Sequence, residues 1–189
     1  MKKGFTMIEL IFVIVILGIL ASVAIPRLAS TRTDAEISAA VGNIRTLISD
    51  VASYYAVKGS FDGATWKDVT NVPIGVGGGR PVQSDTAVVR NDSDKGAVYL
   101  SSGGIDCIVV RVRDKTNVTP TTPAKPAYIE IAKVRDNRSS GICPDIIKAE
   151  PIQAFLNSKV PGIEPIEENE NRQKEAGIIA LSSSISIHQ

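Results

Sequence analysis

The sequence predicts an α+β fold: a long N-terminal helix, apolar in its first half and amphipathic in its second, packed on an antiparallel β-sheet. Three patterns predict it. Phe5 to Ile25 is an apolar run whose only polar side chains are Thr6, Glu9 and Ser22. Ile37, Val41, Ile44, Ile48, Val51 and Tyr55 then recur at alternating spacings of four and three residues, which draws one stripe along a helix. Further on, short segments alternate apolar and polar residues with the two-residue period of half-buried strands.

As a helix the apolar run reaches about 32 Å, close to the ~30 Å hydrocarbon core of a bilayer. Lys2 and Lys3 precede it, so its N-terminus is expected to stay cytoplasmic while the rest of the chain crosses. Arg27 and Arg32 on the far flank weaken that asymmetry slightly. Three readings fit a run of this kind. In one it is an ordinary signal peptide, with Ser22-Val23-Ala24 as a small-x-small site, and cleavage near Ala24 releases a secreted extracytoplasmic binding protein. In another it is an uncleaved anchor. In the third a peptidase cuts in front of the run and leaves it on the mature chain.

Glu9 separates these readings. A carboxylate inside a membrane-spanning stretch is costly, and a discarded signal or plain anchor has no use for it. An ionisable residue there points to function and to a partner of opposite charge. Lys2-Lys3-Gly4-Phe5-Thr6-Met7-Ile8-Glu9-Leu10 resembles the N-terminus of type IV pilins and of type II secretion pseudopilins. Gly18 and Pro26 also stand where many members have a glycine and a proline, and the close match runs from about Lys2 to Arg32.

The resemblance implies cleavage by a prepilin peptidase between Gly4 and Phe5, N-methylation of Phe5, and an assembly role for Glu9. It divides the chain into a leader (1–4), a transmembrane and filament-core helix (5–26), an amphipathic helix (27–58) and an extracytoplasmic β-rich domain (59–189). Losing Lys2 and Lys3 with the leader takes the formal charge from +1 to −1. The implied partners are other pilin-like subunits in a homo- or hetero-polymer, the peptidase, and an inner-membrane assembly platform with its ATPase. Nucleic acid enters only in the case of a DNA-uptake filament. The implied location is the bacterial inner membrane, single-pass, and then a periplasmic or cell-surface filament.

The amphipathic half reads as a helix that stops near Gly59, giving one nearly continuous helix from about Thr6 to Val57, roughly 78 Å long. Ala40, Leu47 and Tyr54 widen its stripe, which is expected to pack on the body. Residues 60–85 read as loop-rich, with Gly75-Val76-Gly77-Gly78-Gly79 as a flexible connection; it lacks the Gly-Lys-Ser/Thr ending of a phosphate loop. Strands are expected at Ala87–Arg90, Ala97–Ser101, Ile105–Arg113 and Ala127–Val134, with the proline-bearing stretch from Thr116 to Pro126 as a surface loop. Pro151 to Ser158 is expected to form a short helix, Glu164 to Glu175 an exposed segment, and Ile178 to Ile187 a last strand.

Cys107 and Cys143 are the two cysteines. In an extracytoplasmic body a disulfide is the default, with two free structural thiols as the alternative. A pilin-like body often carries such a bridge, and it would close a loop of about 37 residues, stabilising by ~3–4 kcal/mol. Two cysteines without a nearby histidine do not complete a four-ligand zinc site. The single histidine, His188, sits next to the C-terminus and supports neither a triad nor a metal site. No Gly-x-Ser-x-Gly or His-Glu-x-x-His motif is present, so no catalytic residue, cofactor or metal is expected. Asp92-Ser93-Asp94-Lys95-Gly96 lacks the remaining ligands of a calcium loop and reads as a solvated turn. Asn117-Val118-Thr119 has the spacing of a glycosylation acceptor. A net charge of +1 with 22% charged residues predicts no strong pull toward nucleic acid or acidic lipid.

Overall fold

An uninterrupted apolar run followed by a stripe spaced at three and four residues produces one helix, α1, Met7–Lys58, which ends one residue before Gly59. The computed structural model describes residues 6–78, 86–89, 96–115, 125–134, 141–163 and 176–181. The chain divides into two compact units, Met1–Glu36 and Ile37–Gln189. In the first, the helix runs through Pro26, and Arg32 and Glu36 form an exposed i,i+4 ion pair at 3.0 Å, an arrangement that contributes little to stability.

In the second unit Ile44, Leu47 and Val51 are fully buried and join a core with the sheet. Leu47, expected only to widen the stripe, lies at its centre. Ile37, Val41, Ile48 and Tyr55 are partly buried at its flanks. The chain after Gly59 turns back over this face more tightly than its loop-like composition suggests. Phe61 stacks on Tyr54 and Tyr55, with ring centroids 5.8 and 5.3 Å away. Asp114 fastens the turn by accepting the Ser60 hydroxyl at 2.6 Å and the Phe61 amide at 2.9 Å. Burial, assisted by the nearby Asp114 charge, holds the Tyr55 phenol above the ordinary tyrosine range.

A four-residue helix, α2 (Trp66–Val69), follows. Thr65 and Asp68 open it: the Thr65 amide and hydroxyl donate to Asp68 Oδ2 at 3.0 and 2.6 Å. Those two bonds, the hydroxyl first, hold the Asp68 carboxyl below its ordinary range. Trp66 is fully buried, and its indole N–H donates to the Gly96 carbonyl at 3.1 Å.

The sheet is an antiparallel meander in the order β1 (Val98–Ser102), β2 (Ile105–Arg113), β3 (Tyr128–Lys133) and β4 (Ala176–Ala180). β1 and β2 meet at Gly103-Gly104, both at positive φ (+59° and +79°), as a two-residue hairpin with the right-handed twist of its strands requires. Val98, Leu100, Ile108, Val110, Val112, Ile129 and Ile131 join the core that holds Ile44, Leu47 and Val51. Glu130 takes the opposite phase, directly across from Arg111 in the β2–β3 register and 3.6 Å from it. With Glu130 only 2% exposed, a one-residue slip would turn this carboxylate into the apolar core, so the pair specifies register. Tyr128 and Ile178 cluster with Ile163 on that second phase. Tyr128 is raised above its ordinary range, chiefly by burial; Arg113 opposes the shift and Glu130 adds to it.

Between β3 and β4 lie α3 (Cys143–Lys148) and α4 (Glu150–Leu156), each with proline in its first turn. A disulfide joins Cys107 on β2 to Cys143 at the start of α3, with Cα atoms 5.1 Å apart. The chain passes so close to α4 that Gly177 has no room for a side chain. A Cβ there would meet the Phe155 carbonyl and lie 2.7 Å from the Ser158 hydroxyl oxygen. Gly177→Ala is therefore expected to destabilise the fold by about 1–3 kcal/mol, read as a lower denaturant midpoint with an unchanged slope.

Four expectations change. The glycine run is not a free connection over its described part: Gly75 exchanges two hydrogen bonds with Tyr99, at 2.9 and 2.8 Å, and the Gly78 amide donates to Asp106 at 2.7 Å. Backbone pairing with β1, which small residues permit at close range, orders it. Ala87–Arg90 forms no strand among its described residues; Ala87 makes one isolated bridge with Thr65, because a short helix follows where a pairing strand would have to continue. α3 adds a helix before the expected one at Pro151. β4 begins at Ala176 and ends at Ala180, and 182–189 fall outside the described residues, as do 116–124, 135–140 and 164–175.

Candidate functional site: the N-terminal helix

Thr6 and Glu9 build the start of α1. The Thr6 amide donates to Glu9 Oε2 at 2.9 Å, and the Thr6 hydroxyl donates to the same oxygen at 2.7 Å. The Glu9 amide returns a bond to Thr6 Oγ1 at 3.3 Å. This is a reciprocal capping box, which satisfies donors that a helix N-terminus otherwise leaves unpaired. It also fixes one carboxylate oxygen. Among the described residues, Glu9 Oε1 accepts no hydrogen bond within its own helix.

Behind this cap the helix is apolar around its whole circumference. From Met7 to Leu28 its large hydrophobic side chains are between 40% (Ile16) and 81% (Met7) exposed. A helix apolar on all sides is stable only where something other than water covers it. By length and composition this segment is able to cross a membrane. A Cβ at Gly18 would meet nothing within 4 Å, so packing inside the unit does not require glycine there. Pro26 has no amide to donate back to the carbonyl of Ser22, yet the helix continues past it, as membrane helices often do. The Ser22 hydroxyl bonds the Ile19 carbonyl at 2.7 Å, so it places no unpaired donor on the apolar surface.

Of the residues singled out in the sequence, Glu9 sits in the first turn, and Cys107 and Cys143 are bridged. Gly4 and Phe5 lie outside the described residues, as do Asp92–Lys95, Asn117 and His188. Among the described residues, no group of three or more His, Cys, Asp and Glu could hold a metal ion. Sequence reasoning missed the role of Thr6. Its signal was present: Thr6-Met7-Ile8-Glu9 before an apolar run is a capping box.

An exposed, fully apolar helix opened by a capped carboxylate, continued by an amphipathic half in a disulfide-bonded α+β unit, has the plan of a pilin-type chain. Residues 1–25 match the family described as the prokaryotic N-terminal methylation motif. The chain is 38% identical over 53 residues to the type II secretion system core protein G of Pseudomonas aeruginosa, covering 28% of this chain and 37% of that one. It is 41% identical over 63 residues to a fimbrial protein of Neisseria meningitidis serogroup B, covering 33% and 37%. The chain thus spans little more than a third of the length of these curated relatives. No solved structure matches it. The N-terminal segment is a prepilin-type methylation motif on a helix suited to membrane anchoring.

Proposed function

We propose that the chain is a structural subunit of a type IV pilus-like filament, either a type IV pilin or a type II secretion pseudopilin. A prepilin peptidase cuts between Gly4 and Phe5, and Phe5 becomes the methylated N-terminus. The mature subunit waits in the inner membrane with its body on the extracytoplasmic side. An assembly platform and its ATPase then move the apolar helix from lipid into a filament core of like helices. There Glu9 of one subunit meets the Phe5 amine of a neighbour, and each neutralises a charge that low-dielectric surroundings penalise. The role is mechanical, with no turnover chemistry.

The observation that carries this reading is the methylation motif running directly into an exposed, wholly apolar helix that retains one carboxylate. A discarded signal peptide would have no need of Glu9. Intact-mass measurement of the chain purified from its native membrane tests the proposal. A subunit beginning at methylated Phe5 is expected. A chain beginning near Ile25, or retaining residues 1–4, overturns it.

A further inference from the structure

An open sheet has two edge strands, and an edge offers its amides and carbonyls to any other strand. Here the edges are β1 and β4, and both are covered. At β4 the Ile178 amide donates to the Ser158 carbonyl at 2.9 Å, just past α4, whose Ile152 and Leu156 are buried in the core. At β1 the cover is thinner. Tyr99 exchanges its amide and carbonyl bonds with Gly75, at 2.8 and 2.9 Å, in an isolated one-residue bridge. The bridge does not lengthen into a ladder, because Gly77 and Gly78 take positive φ (+91° and +65°) and turn the chain out of strand geometry. Two further contacts close this strap. A Cβ on Gly77 would sit 3.2 Å from the Tyr99 ring, so the strap lies against that ring. The Gly78 amide donates to Asp106 Oδ2 at 2.7 Å, while Asp106 Oδ1 accepts the Ser101 hydroxyl of β1 at 2.5 Å. Asp106, itself buried, thus grips the strap and the edge strand at once.

We propose that residues 74–78 are a releasable guard, latched by Asp106, over a strand-pairing site for β1 of a second copy of this chain. The strand beneath matches itself. Ala97 to Ser102 carries no charge and no proline, the side chains by which edge strands usually repel one another. Val98, Tyr99 and Leu100 suit extended structure. Two such edges meeting antiparallel about Tyr99 would give each Tyr99 the two-bond exchange that Gly75 now supplies, with no like charges opposed. The bulge between Leu100 and Ser101 confines the match to the first three residues of β1, so a one-residue cover with a latch is enough to compete with it. The closed strap keeps the bodies of two copies from joining their sheets. This guard involves the body alone, so it holds or fails independently of the filament reading.

The test uses the full-length chain in detergent and reads protein mass per micelle by light scattering over a concentration series. Asp106→Ala opens the latch, and Gly77→Ala lifts the strap off Tyr99. Gly63→Ala is the control: Gly63 also has positive φ (+70°), and a Cβ there would meet nothing within 4 Å, so it strains the backbone without touching the strap. One charge-assisted hydrogen bond is worth about tenfold in an opening equilibrium. Pairing needs both copies open, so that factor is squared, and the dimer dissociation constant of Asp106→Ala is expected to fall about a hundredfold below wild type. Gly77→Ala is expected to move in the same direction, and Gly63→Ala to stay at the wild-type value. Adding Tyr99→Lys sets like charges opposite each other in the pair and is expected to return Asp106→Ala to the wild-type constant. Release variants no more dimeric than wild type overturn the proposal. So does a Gly63→Ala as dimeric as they are, or a dimer that survives Tyr99→Lys. If Asp106→Ala fails to fold, seen as loss of the buried Trp66 emission, Gly77→Ala with and without Tyr99→Lys decides alone.

Discussion

Glu9→Ala is expected to reach the membrane at wild-type levels and to lower filament assembly by at least roughly tenfold, because it leaves a buried counter-charge unpaired. The expectation follows from the uniformity of the rest of the helix. Ile11 through Leu17 are all apolar, so lipid and a bundle of identical helices are nearly equivalent surroundings for them. Such side chains favour association without specifying stagger. Glu9 carries the charge in the first turns, and its position along the helix therefore matters. Its removal makes insertion into lipid easier, so membrane abundance should not fall, while the neighbour's Phe5 amine enters the core with nothing to neutralise it. Glu9→Gln separates charge from shape: it retains an acceptor for Thr6 and lacks the charge, and the same assembly defect is expected. The measurement is the ratio of sheared filament to membrane-inserted subunit. Wild-type ratios for Glu9→Ala would remove the physical basis for the proposed pairing.

How much of this was legible in the sequence depends on the range of the interactions concerned. α1, β2 and β3 could be read because each carries its own period: the helix repeat through Ile37 to Tyr55, and the alternation at Ile108, Val110 and Val112 and at Ile129 and Ile131. The antiparallel sheet sharing a core with the helix followed from those periods. α2 could not be read by period, since four residues are too few to show one; the Thr65–Asp68 box was its only local mark. The ordering of Gly75 to Gly78 depends on Tyr99 and Asp106, more than twenty residues away, and glycine composition carries no trace of such partners. The burial of Phe61 and Trp66 is likewise a tertiary fact. At the N-terminus the signal is local: Thr6 stands three residues before Glu9, the spacing of a capping box, and donates to its carboxylate.

Removing the disulfide is expected to produce the largest loss in the body. Cys107 and Cys143 lie 36 residues apart in sequence, and both are almost fully buried. Closing a loop of that size lowers the entropy of the unfolded chain and stabilises the fold by about 3–4 kcal/mol. For a chain of this length that corresponds to roughly 10 °C in Tm. The bridge also fastens the start of α3 to β2, and α3 leads directly into α4, whose end packs against Gly177 of β4. Its loss should therefore loosen α3 and α4 before the β1–β2–β3 ladder, whose hydrogen bonds do not depend on it. The Cys107→Ser/Cys143→Ser pair and the reduced wild-type chain, both full length in detergent, should show the same drop in Tm, and hydrogen exchange should rise first in residues 143–156. The serine pair tests the cross-link itself, since it removes the covalent bond and changes little else in side-chain volume. A serine variant as stable as the oxidised wild type would show that packing of Ile146, Ile152 and Leu156 holds these helices without the bridge.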